Sequence, residues 1–151
     1  MLKKIIFAFI FMCFSSSAFS FELPNEIQNW HSVSEFVTPL IASEKDFGRV
    51  IYKNYESEKP KGFLQIIMTE GKGTGNLYVP SSVKNSKGVM PLNSGYEILN
   101  VSGKKSILET HENLPLALAI NYSEDIILTI ETYSLNREEI LKFAEKLLDI
   151  K

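Results

Sequence analysis

The run Glu109-Thr110-His111-Glu112 is the one place in the chain where an imidazole stands among carboxylates. Side chains alternate faces along a strand, so Glu109 and His111 would project to the same side, within reach of one metal ion or one proton relay. Completed by Glu112, such a site would serve a small metal-dependent hydrolase. Only one other histidine exists, His31, and it is remote in sequence. With no His-Glu-x-x-His run and no second acidic cluster beside it, the stretch reads better as a solvated strand end, and no metal or cofactor is expected.

The second candidate is Thr69 to Pro80, TEGKGTGNLYVP, in which Gly71, Gly73 and Gly75 alternate around Lys72. A phosphate-binding loop needs its glycines and lysine to lead into a helix N-terminus, whose backbone N–H groups hold the phosphates. Here Leu77-Tyr78-Val79-Pro80 continues extended, so nucleotide binding is excluded. The expected structure is a hairpin tip: Phe63 to Glu70 turns through Gly71–Gly75 and returns as Asn76 to Val79, with Lys72 exposed. Lys72-Gly73-Thr74-Gly75 is also similar to the Lys-Thr-Gly strand of penicillin-recognising enzymes, and Ser-x-x-Lys occurs at Ser81 to Lys84 and Ser102 to Lys105. That mechanism needs its serine at the start of a buried helix on a far larger scaffold, and both serines sit in loop or turn chemistry. There is no Gly-x-Ser-x-Gly elbow. The motifs thus point away from an enzyme.

The ends of the chain bound where it works. Lys3 and Lys4 precede an apolar run from Ile5 to Phe14 and small residues ending in Ala18-Phe19-Ser20, the three parts of a secretory signal. The run is too short to span a bilayer, and no later segment approaches the roughly 20 residues required. The expected organisation is a signal peptide over residues 1–20 and a single domain over 21–151, with no transmembrane segment after cleavage. The only cysteine, Cys13, lies in the signal, so the exported chain has neither a thiol nucleophile nor an internal disulfide. That usage suits a bacterial envelope protein, placing the protein in the periplasm or outside the cell. Losing Lys3 and Lys4 leaves 14 basic against 18 acidic residues, a formal charge of −4. Such a balance argues against nucleic acid as a partner.

The positioning elements follow from periodicity. Ile27 and Trp30 stand three apart, as one helical turn or a short tether would place them, and Trp30 is expected to anchor an N-terminal arm to the core. Residues 31–47 are ambiguous: Val33, Phe36, Val37, Leu40 and Ile41 fit a helical stripe broken at Pro39, while His31 to Val37 partly alternates. A strand or short helix is expected there, then a turn at Asp46-Phe47-Gly48. Arg49 to Ser57 and Phe63 to Glu70 read as a hairpin across Glu58-Lys59-Pro60-Lys61-Gly62, with Leu64, Ile66 and Met68 on one face. Tyr96 to Val101 pairs with Ser106 to His111, and Leu116 to Tyr122 with Ile126 to Tyr133. The last strand alternates Ile126, Leu128 and Ile130 against Thr129, Glu131 and Tyr133, as in a sheet wet on one side and covered on the other. The cover is a C-terminal helix capped by Asn136 and Glu139, stapled by Leu135 and Ile140, with Ile140, Phe143, Ala144, Leu147 and Leu148 as its apolar stripe. The expected fold class is α+β: an antiparallel sheet of five to seven strands with the helix packed on one face.

Residues 80–94 exceed an ordinary connection and carry Val89, Met90 and Leu92 around Pro91, apolar residues that a solvated linker does not need. They plug the sheet edge or, with Lys72 and Tyr78, form a binding surface for an envelope protein or a small apolar ligand. The strand at Gly95-Tyr96, the turn Gly103-Lys104-Lys105, the run Leu116 to Ile120 and the ending ILTIETYSLNREEILKFAEKLL resemble small bacterial envelope domains with a PsbP-like α/β sandwich. The resemblance covers about the last third of the chain and implies an accessory, non-catalytic role. The expectation is an exported, non-enzymatic binding domain. Its rivals are the hydrolase at Glu109, His111 and Glu112, and an inhibitor that inserts the Gly71–Gly75 tip into a secreted enzyme.

Overall fold

The computed structural model describes residues 21–42, 45–75, 77 and 94–150. The expected signal peptide therefore lies outside the described residues. Eight strands and one helix follow one another: Glu26–Ile27 (β1), Trp30–Ala42 (β2), Lys45–Glu58 (β3), Lys61–Glu70 (β4), Ser94–Val101 (β5), Lys104–His111 (β6), Leu116–Ser123 (β7), Ile126–Thr132 (β8) and Arg137–Asp149 (α1). All eight belong to one antiparallel sheet in the order β1-β2-β3-β4-β8-β7-β6-β5. Two four-stranded meanders thus meet at the β4–β8 seam, where Ile66 faces Ile130 and Met68 faces Leu128.

This corrects the expected α+β fold of five to seven strands: the protein is sheet-dominated, with eight strands and a single short helix among the described residues. The undercount comes from residues 26–47. Ile27 and Trp30 are not a helical turn; they are register partners across the β1–β2 turn. Val33, Phe36, Val37 and Ile41 mimic a helical stripe, yet each is exposed on one long strand, so their spacing reflects no buried helix face. Asp46-Phe47-Gly48 is not a turn either. It lies within β3, and Gly48 sits beside a register irregularity between Leu40 and Ile41, so the glycine marks a bulge rather than a chain reversal.

One sheet face is covered. Tyr55, Leu64, Ile66, Met68, Leu118, Ile120, Leu128 and Ile130 are fully buried there, beneath Ile140, Phe143, Ala144 and Leu147 of α1. The helix starts where its cap chemistry dictates. The Asn136 side chain accepts from the N–H groups of Glu138 and Glu139 at 3.0 and 3.1 Å, and Glu139 accepts from the Asn136 N–H at 2.9 Å. Trp30 meets Phe143 edge-on at 5.9 Å between centroids, which ties the N-terminal arm to the helix. No helix among the described residues is long and apolar enough to cross a membrane.

The arm is held from below by two β3 side chains on the covered face. Tyr55 donates its hydroxyl to the Pro24 carbonyl at 2.7 Å, and Lys53 donates to the Leu23 carbonyl and to Asn25 Oδ1, each at 2.9 Å. Burial, reinforced by the Glu35 carboxylate, raises the Tyr55 pKa far above its usual value. A phenol held neutral in the fold stabilises fully below the unfolded pKa of about 10 and loses that stabilisation as pH rises beyond it, by up to about 1.4 kcal/mol per pH unit. Tyr55→Phe is therefore expected to cost about 1 kcal/mol at neutral pH and to flatten the loss of stability above about pH 10. Urea titrations at neutral and alkaline pH measure both effects. An unchanged alkaline slope would show that Tyr55 does not govern it.

Candidate functional site

Among the described residues no helix or strand packs on the face opposite the helix, and its side chains form rows that follow directly from the strand register. Phe36, Tyr52, Ile67, Thr129, Ala119, Ile107 and Ile98 stand in one row; Ser34, Asn54, Gln65, Glu131, Ala117, Glu109 and Tyr96 form the next. The β2–β4 part of the second row is self-satisfied. Gln65 donates its amide to Asn54 Oδ1 and Asn54 donates to Ser34 Oγ, both at 2.8 Å.

The β5–β8 part of the two rows is different because an alanine stands at the β7 position of each. Ala117 and Ala119 face outward at alternate positions of β7, so the sheet surface is lowest there, and a concavity of about 370 Å³ lies above them. Thr129 and Ile107 complete the floor and lower wall, while Tyr96, Glu109 and Glu131 stand around it and Leu77 closes one side. Glu109 and Glu131 are both register partners of Ala117, one on each side. Two strand spacings therefore separate their backbones, about 9–10 Å.

The two carboxylates differ in their surroundings. Tyr96 donates its hydroxyl to Glu109, and that hydrogen bond to the carboxylate raises the tyrosine pKa above its usual value. His111 Nε2 also contacts Glu109 Oε1, and the side chain of His111 is largely buried. Its Nδ1 has no hydrogen-bond partner among the described residues. Glu131, by contrast, has neither an ion-pair nor a hydrogen-bond partner among them. The site offers small apolar residues below, one carboxylate already engaged and one open to a donor from a ligand.

Glu109 and His111 are thus brought together on one face, while Glu112 follows the end of β6. Among the described residues no group of three potential metal ligands occurs. Tyr78, Val89, Met90 and Leu92, expected to form a binding surface with Lys72, lie outside the described residues. Lys72 is exposed on the Gly71–Gly75 turn and is not among the residues that line the concavity.

That turn is not the tip of a hairpin returning along β4, because β3 and β8 occupy both edges of β4. It is clasped against the β7–β8 turn. Gly71 N–H donates to the Asp125 carbonyl and Gly75 N–H to the Glu124 carbonyl, each at 2.9 Å, and Gly73 N–H donates to Asp125 Oδ1 at 2.7 Å. Thr74 Oγ1 adds a bond to the Asp125 carbonyl at 2.7 Å. The N–H groups of Gly71, Gly73, Thr74 and Gly75 are all engaged within the protein.

Sequence reasoning missed Ala117, Ala119, Thr129, Glu131, Tyr96 and Leu77 as a set. The available signal was Ala117 and Ala119 alternating in a strand, a residue type that strands use sparingly. A second hollow, of about 730 Å³, opens at the β3–β4 hairpin end between His31, Glu56, Lys61, Phe63 and Ser134. Its walls are mostly long solvated side chains, so it defines no comparable floor. No family model, curated protein or solved structure matches the chain.

Proposed function

We propose that this chain is an exported, non-enzymatic binding domain, periplasmic or extracellular, that holds a small ligand on the open sheet face over Ala117 and Ala119. The observation that carries the reading is the concavity itself: a methyl-lined floor between two carboxylates, built at the centre of a rigid sheet rather than on a loop. The chemistry of the lining selects the ligand class. Ala117, Ala119, Ile107 and Leu77 suit an apolar body, and Glu131 suits a hydrogen-bond-donating or cationic end group. The accessory role implied by the C-terminal resemblance is of the same kind.

The test is an amide chemical-shift titration with three probes that share one aromatic body: phenethylamine, 2-phenylethanol and 3-phenylpropanoate. Amine-selective shifts are expected at Ala117, Ala119, Thr129 and Glu131. Ala119→Phe, which fills the floor from the solvent side, is expected to abolish them without altering the far-UV circular dichroism. Shifts that fall elsewhere, favour the carboxylate, or survive Ala119→Phe would overturn the reading.

A further inference from the structure

We infer that the concavity over Ala117 and Ala119 binds amines in a pH-dependent manner set by His111, more tightly once that imidazole gives up its second proton. The inference rests on the proposed ligand site and adds a control to it. β6 turns Ile107, Glu109 and His111 to one face, and His111 Nε2 contacts Glu109 Oε1. With Glu109 as the acceptor, Nε2 holds the proton of the neutral ring, and Nδ1 is the position that takes up another. Nδ1 has no hydrogen-bond partner among the described residues, so no donor opposes that proton and no acceptor retains it. The ring therefore changes charge without exchanging one hydrogen bond for another.

What changes is the charge beside the ligand. With a neutral ring, Glu109 and Glu131 both present carboxylates to the concavity, and no cationic side chain lines it among the described residues. With an imidazolium, the charge of Glu109 is offset and Glu131 alone attracts an ammonium. Glu109 and Glu131 flank Ala117 on either side, so an ammonium held at Glu131 lies about 8–10 Å from the ring. At that distance, in a medium between protein surface and bulk water, one unit of charge alters affinity about 3- to 10-fold.

The groups around the ring do not supply the same response. From β5, the hydrogen bond that Tyr96 donates to Glu109 raises the tyrosine pKa, so the phenol stays neutral. Ser94, the register partner of His111, does not titrate, and β7 contributes only Ala117 and Ala119 to the concavity. β8 brings Glu131 and Tyr133, Glu112 follows β6, and Arg137 at the start of α1 is paired with Glu97 at 2.9 Å. Carboxylates, phenols and guanidinium groups ordinarily titrate outside the range from about pH 5.5 to about pH 8, in which imidazole does. The other histidine, His31, stands on β2, four strands from β7 in the sheet.

The experiment titrates the full chain with phenethylamine at about pH 5.5 and about pH 8, at low ionic strength, with 2-phenylethanol as the uncharged control. The amine is expected to bind about 3- to 10-fold more tightly at the higher pH and the alcohol equally at both. His111→Gln keeps a donor near the place of Nε2 but cannot gain the charge, so it is expected to bind the amine equally at both. A measurement on the parent chain needs no variant: the pH at which the His111 ring resonances titrate should move down when the amine saturates the site, because the coupling is reciprocal. Amine shifts at Ala117 and Ala119 of equal strength at both pH values would overturn this inference and leave the ligand site standing. So would a pH dependence that survives in a folded His111→Gln, or a ring titration that the amine does not move. No amine shifts at either pH would overturn the ligand site and this inference with it.

Discussion

Gly75→Ala is expected to destabilise the fold by about 3 kcal/mol or more, whereas Gly73→Ala, two residues away in the same turn, should cost only about 1–2 kcal/mol. The two glycines look alike in sequence but meet opposite surroundings. A Cβ at Gly75 would lie 1.9 Å from the Ser123 carbonyl oxygen and 2.5 Å from backbone atoms of Glu124. No flexible side chain is there to yield, so the turn must lift from the β7–β8 loop. Lifting it breaks the Gly75 bond to Glu124 and strains the Thr74 and Gly73 bonds to Asp125 beside it. A Cβ at Gly73 meets nothing within 4 Å, and its cost is only that of a positive φ of 75° in a residue with a side chain. Denaturant midpoints of the two variants decide it. Equal losses would show that the clasp is loose enough to accept a methyl group.

Lys53→Met carries the second large effect, a loss of about 2–4 kcal/mol. Lys53 is 4% exposed, and its three ammonium donors meet three acceptors: the Leu23 carbonyl, Asn25 Oδ1 and Glu35 Oε2. An ammonium has three donors and no acceptor, so this set satisfies it completely. Methionine keeps the length and apolar stem but strands a buried backbone carbonyl and an amide oxygen on the arm. The arm carries Leu23 and Ile27 into the core, so its release exposes apolar surface as well. The loss should therefore be accompanied by faster amide hydrogen exchange at Asn25, Glu26 and Ile27, with the β4–β8 seam still protected. Uniformly faster exchange would mean that Lys53 supports the sheet as a whole rather than the arm. The Glu35 carboxylate is nearly half exposed, and water replaces most of its share of the interaction.

Both predictions mark the limit of local reading. Lys53 sits in Arg49 to Ser57, where its polarity places it on a solvated face, yet strand alternation from Ile51 to Tyr55 puts it on the covered one. Alternation was the better guide, because a buried lysine is tolerable once an arm thirty residues upstream supplies the acceptors. Residues 31–42 stayed ambiguous between strand and short helix for a related reason. Apolar residues at three- and four-residue spacing were legible as a stripe, but only pairing with β3 showed that they lie along one strand. The open-face site was least legible of all. Glu109 and His111 two apart on a strand could be read as neighbours, whereas Glu131 and Ala117 come beside them only through the β6–β7 and β7–β8 registers.

By itself the sequence determined the parts whose physics is local. Turn chemistry and alternation specified the hairpins β3–β4, β5–β6 and β7–β8, and the Asn136–Glu139 box specified where the helix begins, because those hydrogen bonds join residues a few positions apart. Tertiary structure decided which hairpins meet. The β4–β8 seam joins residues more than fifty positions apart, and any of several apolar strand faces would satisfy the local rules equally well. Only burying all of them under one helix selects this order. With that order came the clasp on Gly75, the burial of Lys53 and the alanine-floored concavity, none of which any short stretch of the chain contains.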